Sequence, residues 1–284
     1  MPEEAREGRE SASNDTPRKT VERSREVVCP SGFTGTIRRL TIRELDALSS
    51  RKAARAGTSL DGMFAQTWTS TSELGPYRPP FVEFPEGSNG INVDWSKVFL
   101  GDRTALMIEL RKLVLGDAFA FDVTCPAPLC RRRIPWEVEL SRLERKAMTD
   151  DVRAHLHESG NEFVRTLPYS GKKVSFKMLT GADERRVADV VRNNPDAMLS
   201  STMLVRITGV EGARTPGERR AFVENMDLED ATYLQHEWEA VDCGVSTDIE
   251  IECPHCGKIT RIELPFDADF FSLKSNRTKK ISES

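Results

Sequence analysis

The sequence predicts an α+β fold, mainly helical, with two strand–turn–strand knuckles of one pattern and one further β-hairpin. Three observations lead there. Apolar residues recur at helical spacing in several long segments. Two stretches, "FAFDVTCPAPLCRRRIPWEVEL" (119–140) and "DIEIECPHCGKITRIELPF" (248–266), alternate apolar and polar residues on both sides of a close cysteine pair. A third, "FVRTLPYSGKKVSFKML" (163–179), carries two strand-like runs around a turn at Ser170-Gly171.

Taken in order, residues 1–26 hold almost no apolar side chain and no hydrophobic signal core, so they read as a disordered tail. A single domain is expected over 27–273, followed by a second polar tail, 274–284. The domain starts strand-like and turns at Gly32 and Gly35. "TIRE" reads as a capping box, with Thr41 at N-cap and Glu44 at N3, leading a stripe through Leu45 and Leu48. A short helix is expected over 60–68. Residues 69–93, rich in Pro, Gly and Ser, read as a long irregular loop carrying Tyr77, Phe81 and Phe84. Next comes a helix with Leu106, Leu110, Leu113 and Val114 on one face, Asp102 as its cap and Gly116 as its stop. After the first knuckle, 141–160 reads as polar helix. Residues 182–241 read as mostly helical, punctuated by Pro195, Gly209 and Gly212. The last helix begins at an Asp227 cap, places Leu228, Ala231, Leu234, Trp238 and Val241 on one face, and ends at Gly244.

The knuckles carry the chemistry. In the first, Phe119, Phe121 and Val123 precede Cys125, and Ile134, Trp136, Val138 and Leu140 follow Cys130. In the second, Ile249 and Ile251 precede Cys253, and Ile262, Leu264 and Phe266 follow Cys256. Each is a hairpin offering two thiolates at ligand spacing, and tetrahedral zinc takes four. The two hairpins are expected to pair into a zinc ribbon with one structural Zn2+ held by Cys125, Cys130, Cys253 and Cys256. Arg131, Arg132 and Arg133 after one pair, and Lys258 and Arg261 after the other, would offset the excess negative charge. A lone Cys-x-x-Cys can instead be a redox motif, but that favours a helix N-terminus rather than strand flanks. The arginine triplet can also be read as a phosphate-binding patch. Cys29 and Cys243 read as small core residues, and His255 as pointing outward.

Other classes find little support. Net charge is −4 over 284 residues, which argues against nucleic acid as a partner. No apolar run is long enough to cross a bilayer, so a cytoplasmic protein is expected, without membrane contact. There is no G-x-S-x-G, H-E-x-x-H, G-x-G-x-x-G or Walker A pattern. "SGKK" lacks the rest of a P-loop, and His155 and His157 are two apart on a predicted helix, so they do not share a face. An enzyme is not expected.

The order of features resembles the baseplate hub assembly chaperones of contractile-tailed, T-even-type phages and their relatives in phage-tail-like contractile injection systems. Four stretches carry the resemblance: "TGTIRRLTIRELDALSSRKAARAG", "DWSKVFLGDRTALMIELRKLVLGDAFAFDVTCPAPLC", "WEVELSRL" and "IECPHCGKITRIELPFDADFF". They span roughly residues 28–273. One departure is the four-residue gap between Cys125 and Cys130, where two would match the pattern. The resemblance implies a non-enzymatic assembly factor whose partners are hub or spike proteins of a contractile tail. A zinc-ribbon nucleic-acid-binding or regulatory protein is the alternative. The loop bearing Tyr77, Phe81 and Phe84 is the candidate partner surface, while covering the core is the simpler and preferred reading of the same rings.

Overall fold

A computed structural model describes residues 22–48, 59–78, 82–83, 92–193, 198–266 and 270–271. The chain begins with an antiparallel sheet of β1 (Ser24–Val28), β2 (Thr34–Arg38) and β3 (Trp68–Glu73), in that order. β1 therefore starts inside the segment read as a tail, and β3 occupies the start of the expected loop. Two helices intervene, α1 (Ile42–Leu48) and α2 (Ser59–Thr67). The Glu44 carboxylate reaches back to the Thr41 amide and hydroxyl, each at 2.6 Å, which is the expected reach-back half of a capping box. A two-residue pairing of β4 (Val82–Glu83) with β5 (Asn92–Val93) follows.

Helix α3 (Leu100–Leu115) runs through the middle of the protein, and its buried positions include Leu106, Leu110 and Leu113. It also buries polar residues that a one-sided stripe would leave in water: Asp102, Arg103, Glu109 and Arg111. Asp102 is not its cap. Phe99 holds that position with no side-chain hydrogen bond. Asp102 instead points inward, accepting from the Ser31 amide at 3.0 Å, the Ser31 hydroxyl at 2.5 Å and the Tyr77 hydroxyl at 2.7 Å. Gly116, at φ 90°, stops the helix as expected.

β6 (Ala118–Thr124) and β7 (Arg133–Glu139) form the first cysteine hairpin, with Phe121 opposite Trp136 and Val123 opposite Ile134. Residues 141–160 are helical only in part. A short 3-10 turn (Leu140–Arg142) and β8 (Arg145–Lys146) precede α4 (Asp150–Ser159), which the Thr149 side chain caps. β9 (Phe163–Thr166) and β10 (Lys173–Phe176) turn at Gly171, φ 67°, as predicted. They are joined by β11 (Ile207–Val210) into a second three-stranded sheet, β11–β10–β9. Around it lie α5 (Gly181–Asn193), α6 (Met198–Arg206), α7 (Pro216–Glu224) and α8 (Leu228–Val241). Asp227 caps α8, accepting from the Glu229 amide. Leu234, Trp238 and Val241 are buried, but Leu228 is 77% exposed, so the expected face starts one turn later. Gly244 does not end the helix; it lies in β12 (Gly244–Val245), which pairs with β8. β13 (Asp248–Glu252) and β14 (Ile259–Glu263) form the second cysteine hairpin.

The described residues thus hold eight helices and several small antiparallel sheets. The class is mixed, but there is more strand than one extra hairpin, because β3 and β11 each return from a distant segment to extend a hairpin. The main core gathers Phe33, Trp68, Trp95, Leu106, Phe176 and Trp238 with their neighbours. A smaller core roots both cysteine hairpins on α3 through Ile108, Phe119, Leu140, Leu264 and Phe270. Burying side chains of this size contributes about 1.5–3 kcal/mol each. Arg111, fully buried, lies 4.4 Å from the centre of the Phe119 ring and 5.2 Å from that of Phe270, and donates to the carbonyls of Phe270 and Ala118.

Candidate metal centre

Both hairpins turn in the same way at their tips. In the first, the Cys125 amide donates to the Arg132 carbonyl at 2.9 Å; in the second, the Cys253 amide donates to Lys258 at 3.0 Å. The residue after the second cysteine of each pair has a positive φ: Arg131 at 44° and Gly257 at 68°. Glycine takes that conformation at no steric cost, whereas arginine does so at a penalty. The two extra residues between Cys125 and Cys130 are absorbed in a turn in which the Cys130 and Arg131 amides both donate to the Ala127 carbonyl. Leu129 projects fully into solvent there.

This turn geometry brings the four predicted ligands together. Sγ of Cys125 lies 3.6 Å from that of Cys256, and Sγ of Cys130 lies 3.8 Å from that of Cys253. All four sulfurs fall within 4.8 Å of one another. A regular tetrahedron with Zn–S bonds of about 2.3 Å has S···S edges of about 3.8 Å, so the cluster has the dimensions of a four-thiolate site. The four thiols could hold a metal ion. Cys125 and Cys253 are buried, Cys130 is partly so and Cys256 is exposed. Cys125, Cys130 and Cys253 pack with Ile134, Ala127 and Trp136 in a small apolar cluster.

The electrostatics follow from the crowding. The Ala127 amide favours the Cys125 thiolate, but burial and the three neighbouring thiols outweigh it and push that thiol up to about 12. At Cys253 burial raises the pKa, yet the His255 and Cys256 amides and the adjacent thiols bring it down to about 7. A metal bound by these sulfurs would displace their protons. His255 is exposed and outside the ligand set, with Nδ1 3.3 Å from Arg132 Nη1 across the two tips. Arg133 is paired with Asp122 at 2.6 Å. Cys29 and Cys243 lie in the main core, away from the cluster, and burial raises both thiols.

The candidate partner loop fares differently. Tyr77 is buried, edge-on to Phe33 at 5.1 Å, and its hydroxyl both donates to Asp102 and accepts from the Phe99 amide at 3.0 Å. It closes the core and offers no exposed anchor. Phe81 and Phe84 lie outside the described residues. Sequence reasoning passed over the residues that brace the start of α3. Gly101 lies against the Cys243 and Gly244 backbone. Arg103 donates to Asp61 at 2.6 Å, the Trp95 carbonyl at 2.7 Å and Glu184 at 3.1 Å. The sequence marks only Asp102 of this run, as a cap, and the inward roles of Gly101, Asp102 and Arg103 come from the fold.

No helix among the described residues is long and apolar enough to cross a membrane. No curated protein and no solved structure matches the chain. A family model described as T4 bacteriophage base plate protein matches residues 88–272. That stretch runs over more than half of the sequence and contains α3, both hairpins and all four clustered thiols; the chain belongs to the T4 bacteriophage base plate protein family.

Proposed function

We propose that this protein is a non-enzymatic assembly chaperone for the hub or spike of a contractile-tail baseplate, and that its two hairpins form a zinc ribbon around one structural Zn2+. The observation that carries the reading is the baseplate-family match over the stretch that contains the whole thiol cluster. The geometry supports a structural role for the metal. Four thiolates complete a tetrahedral shell and leave no position for a reacting water. The hairpins they join come from distant parts of the chain, where a cross-link restricts the unfolded chain most. The chaperone role rests on the resemblance of the sequence to hub assembly factors.

Deletion of the gene, followed by electron microscopy of particles, tests the reading. The expected result is absent or hubless baseplates, restored by the wild-type gene, with hub or spike proteins retained by the tagged protein and the protein itself missing from mature particles. Normal particles and no hub partner would end it. A nucleic-acid-binding reading is favoured by the exposed Arg131 and Arg132 beside the thiols. It calls for submicromolar duplex or single-strand binding at physiological salt, lost when both arginines become Ala. The pairing of Arg133 with Asp122 and the net charge of −4 weigh against it.

A further inference from the structure

Beside the second three-stranded sheet, a cleft of about 400 Å3 opens between the end of β10, α5, α6, β11 and α7. That volume lies within the range of ligand-binding clefts. Its apolar lining comes from Val190, Leu204, Val205 and Ile207. Its polar wall carries four cations, Lys177, Arg186, Arg219 and Arg220, and no acidic side chain lines it. Some of this charge is neutralised from outside: Lys177 pairs with Asp183 at 2.6 Å, Arg186 lies 3.6 Å from the same carboxylate, and Arg220 lies 3.4 Å from Glu224. Arg219 has no carboxylate partner among the described residues. Its Nη1 donates to the Thr208 carbonyl at 2.7 Å, and its buried Nε has no hydrogen-bond partner among them. A buried donor without an acceptor is unfavourable unless something supplies one.

We infer that this cleft is a docking site for a short acidic segment of a partner protein, in which a carboxylate lies beside an apolar side chain. The carboxylate meets Arg219, flanked by Arg186 and Arg220, and the apolar side chain lies on Leu204 and Ile207. The enclosed volume suits one or two side chains and not a duplex. The apolar floor suits a peptide better than a run of phosphates. The whole chain is acidic, so a long polyanion is repelled from a distance while a short segment meets only the local positive field. The identity of the partner as a baseplate protein rests on the proposed function; the chemistry of the cleft does not.

The test is fluorescence anisotropy on the full-length protein with a fluorescein-labelled octapeptide of alternating leucine and glutamate. Competitors are the same peptide with glutamine for glutamate and a single-stranded oligonucleotide of equal charge. Arg186 and Arg220 are exposed enough to replace without loss of packing. The expected result is saturable binding that falls at least tenfold in Arg186→Gln/Arg220→Gln and in Arg219→Gln, and at least tenfold for the glutamine peptide. Arg142→Gln, outside the cleft, is expected to leave binding unchanged. No binding by the wild type, or equal binding by the cleft variants, overturns the inference. So does tighter oligonucleotide binding lost in the same variants, which would make the cleft a phosphate site. Co-expression with the baseplate proteins separates the two proposals. Hub proteins held equally by wild type and cleft variants would overturn the cleft as the place where they dock and leave the chaperone reading intact. Peptide binding at the cleft without any baseplate partner would support the cleft and end the chaperone reading.

Discussion

Replacing Gly101 with alanine would place a Cβ 1.9 Å from the Cys243 carbonyl oxygen, 2.7 Å from its carbon and 2.8 Å from the Gly244 Cα. Real contacts of this kind lie beyond about 3.4 Å, the onset of favourable packing. The gap can open only if the N-terminal turn of α3 and the backbone leading into β12 part by more than 1 Å. Neither side can yield cheaply. The next residue, Asp102, is tied to Ser31 and Tyr77, and Arg103 to Asp61, Trp95 and Glu184, while β12 is paired with β8. One surplus methylene in a packed site costs about 1–3 kcal/mol when side chains can adjust. Here the colliding atoms are backbone, so about 3–5 kcal/mol is expected. For a protein of this size that lowers the melting temperature by roughly 6–20 °C. Gly62 provides the control, since it too is helical and a Cβ there meets nothing within 4 Å. Gly62→Ala should stabilise by about 0.5–1 kcal/mol through helix propensity alone. Urea denaturation of both variants beside the wild type reads the difference directly. A Gly101→Ala protein within about 1 kcal/mol of wild type would refute the close approach of α3 to β12.

The purified, reduced protein should carry one zinc per chain and Cys253→Ser none, by elemental analysis; a folded wild type without metal would remove the site. Arg131→Gly should bind metal as before and gain about 1 kcal/mol, because it relieves the left-handed φ of 44° that Gly257 adopts freely in the other hairpin. At Glu44, burial alone would raise the carboxyl, but hydrogen bonds from Arg38 and from the Thr41 hydroxyl and amide hold it at about 2. Since this folded pKa lies below the unfolded one, the stability it gives is complete above about pH 4.5 and is lost as pH falls towards 2. Glu44→Gln should therefore be less stable than wild type at pH 7, with the difference shrinking over that acid window in urea titrations.

The cysteine hairpins were legible because each one is local. Period-two alternation, a turn and two thiols all fall within about twenty residues, and the requirement for four ligands then links the two segments. The Thr41–Glu44 cap and the turn at Gly171 were legible for the same reason. What escaped depends on partners far along the chain. An acid at the start of a helix reads as a cap, and only the fold shows that Asp102 meets Ser31, 71 residues away. Arg111 in a helix reads as solvent-facing, whereas it is enclosed by Phe119 and Phe270. Tyr77 in a Pro- and Gly-rich stretch reads as a loop aromatic, but its hydroxyl completes the Asp102 network inside the core. β3 and β11 are third strands whose alternation gives no sign of which hairpin they join. The cations of the cleft come from separate elements and make a site only when these converge.

The two hairpins remain separate two-stranded sheets, and an isolated two-stranded hairpin is marginally stable at best. They are held at two places of different character. At their roots, Phe119, Leu140, Leu264 and Phe270 pack on α3, with Arg111 bound between rings and carbonyls. This joint contains none of the four clustered thiols. At their tips the contact is a few side chains around Cys125, Ile134 and Cys253, with Cys256 open to solvent. On the proposed zinc reading, the four thiols at the tips would be joined through the ion. If the tips hold the proposed zinc, a strong chelator should free residues 125–132 and 253–258 to exchange amide hydrogen while α3 and the roots stay protected. A partner that recognises the tips would be lost with the metal, and one that uses the cleft beside α7 would stay bound. Hydrogen exchange with and without chelator, repeated with hub protein present, distinguishes these two modes of recognition, and loss of protection throughout α3 on chelation would show that the roots depend on the metal as well.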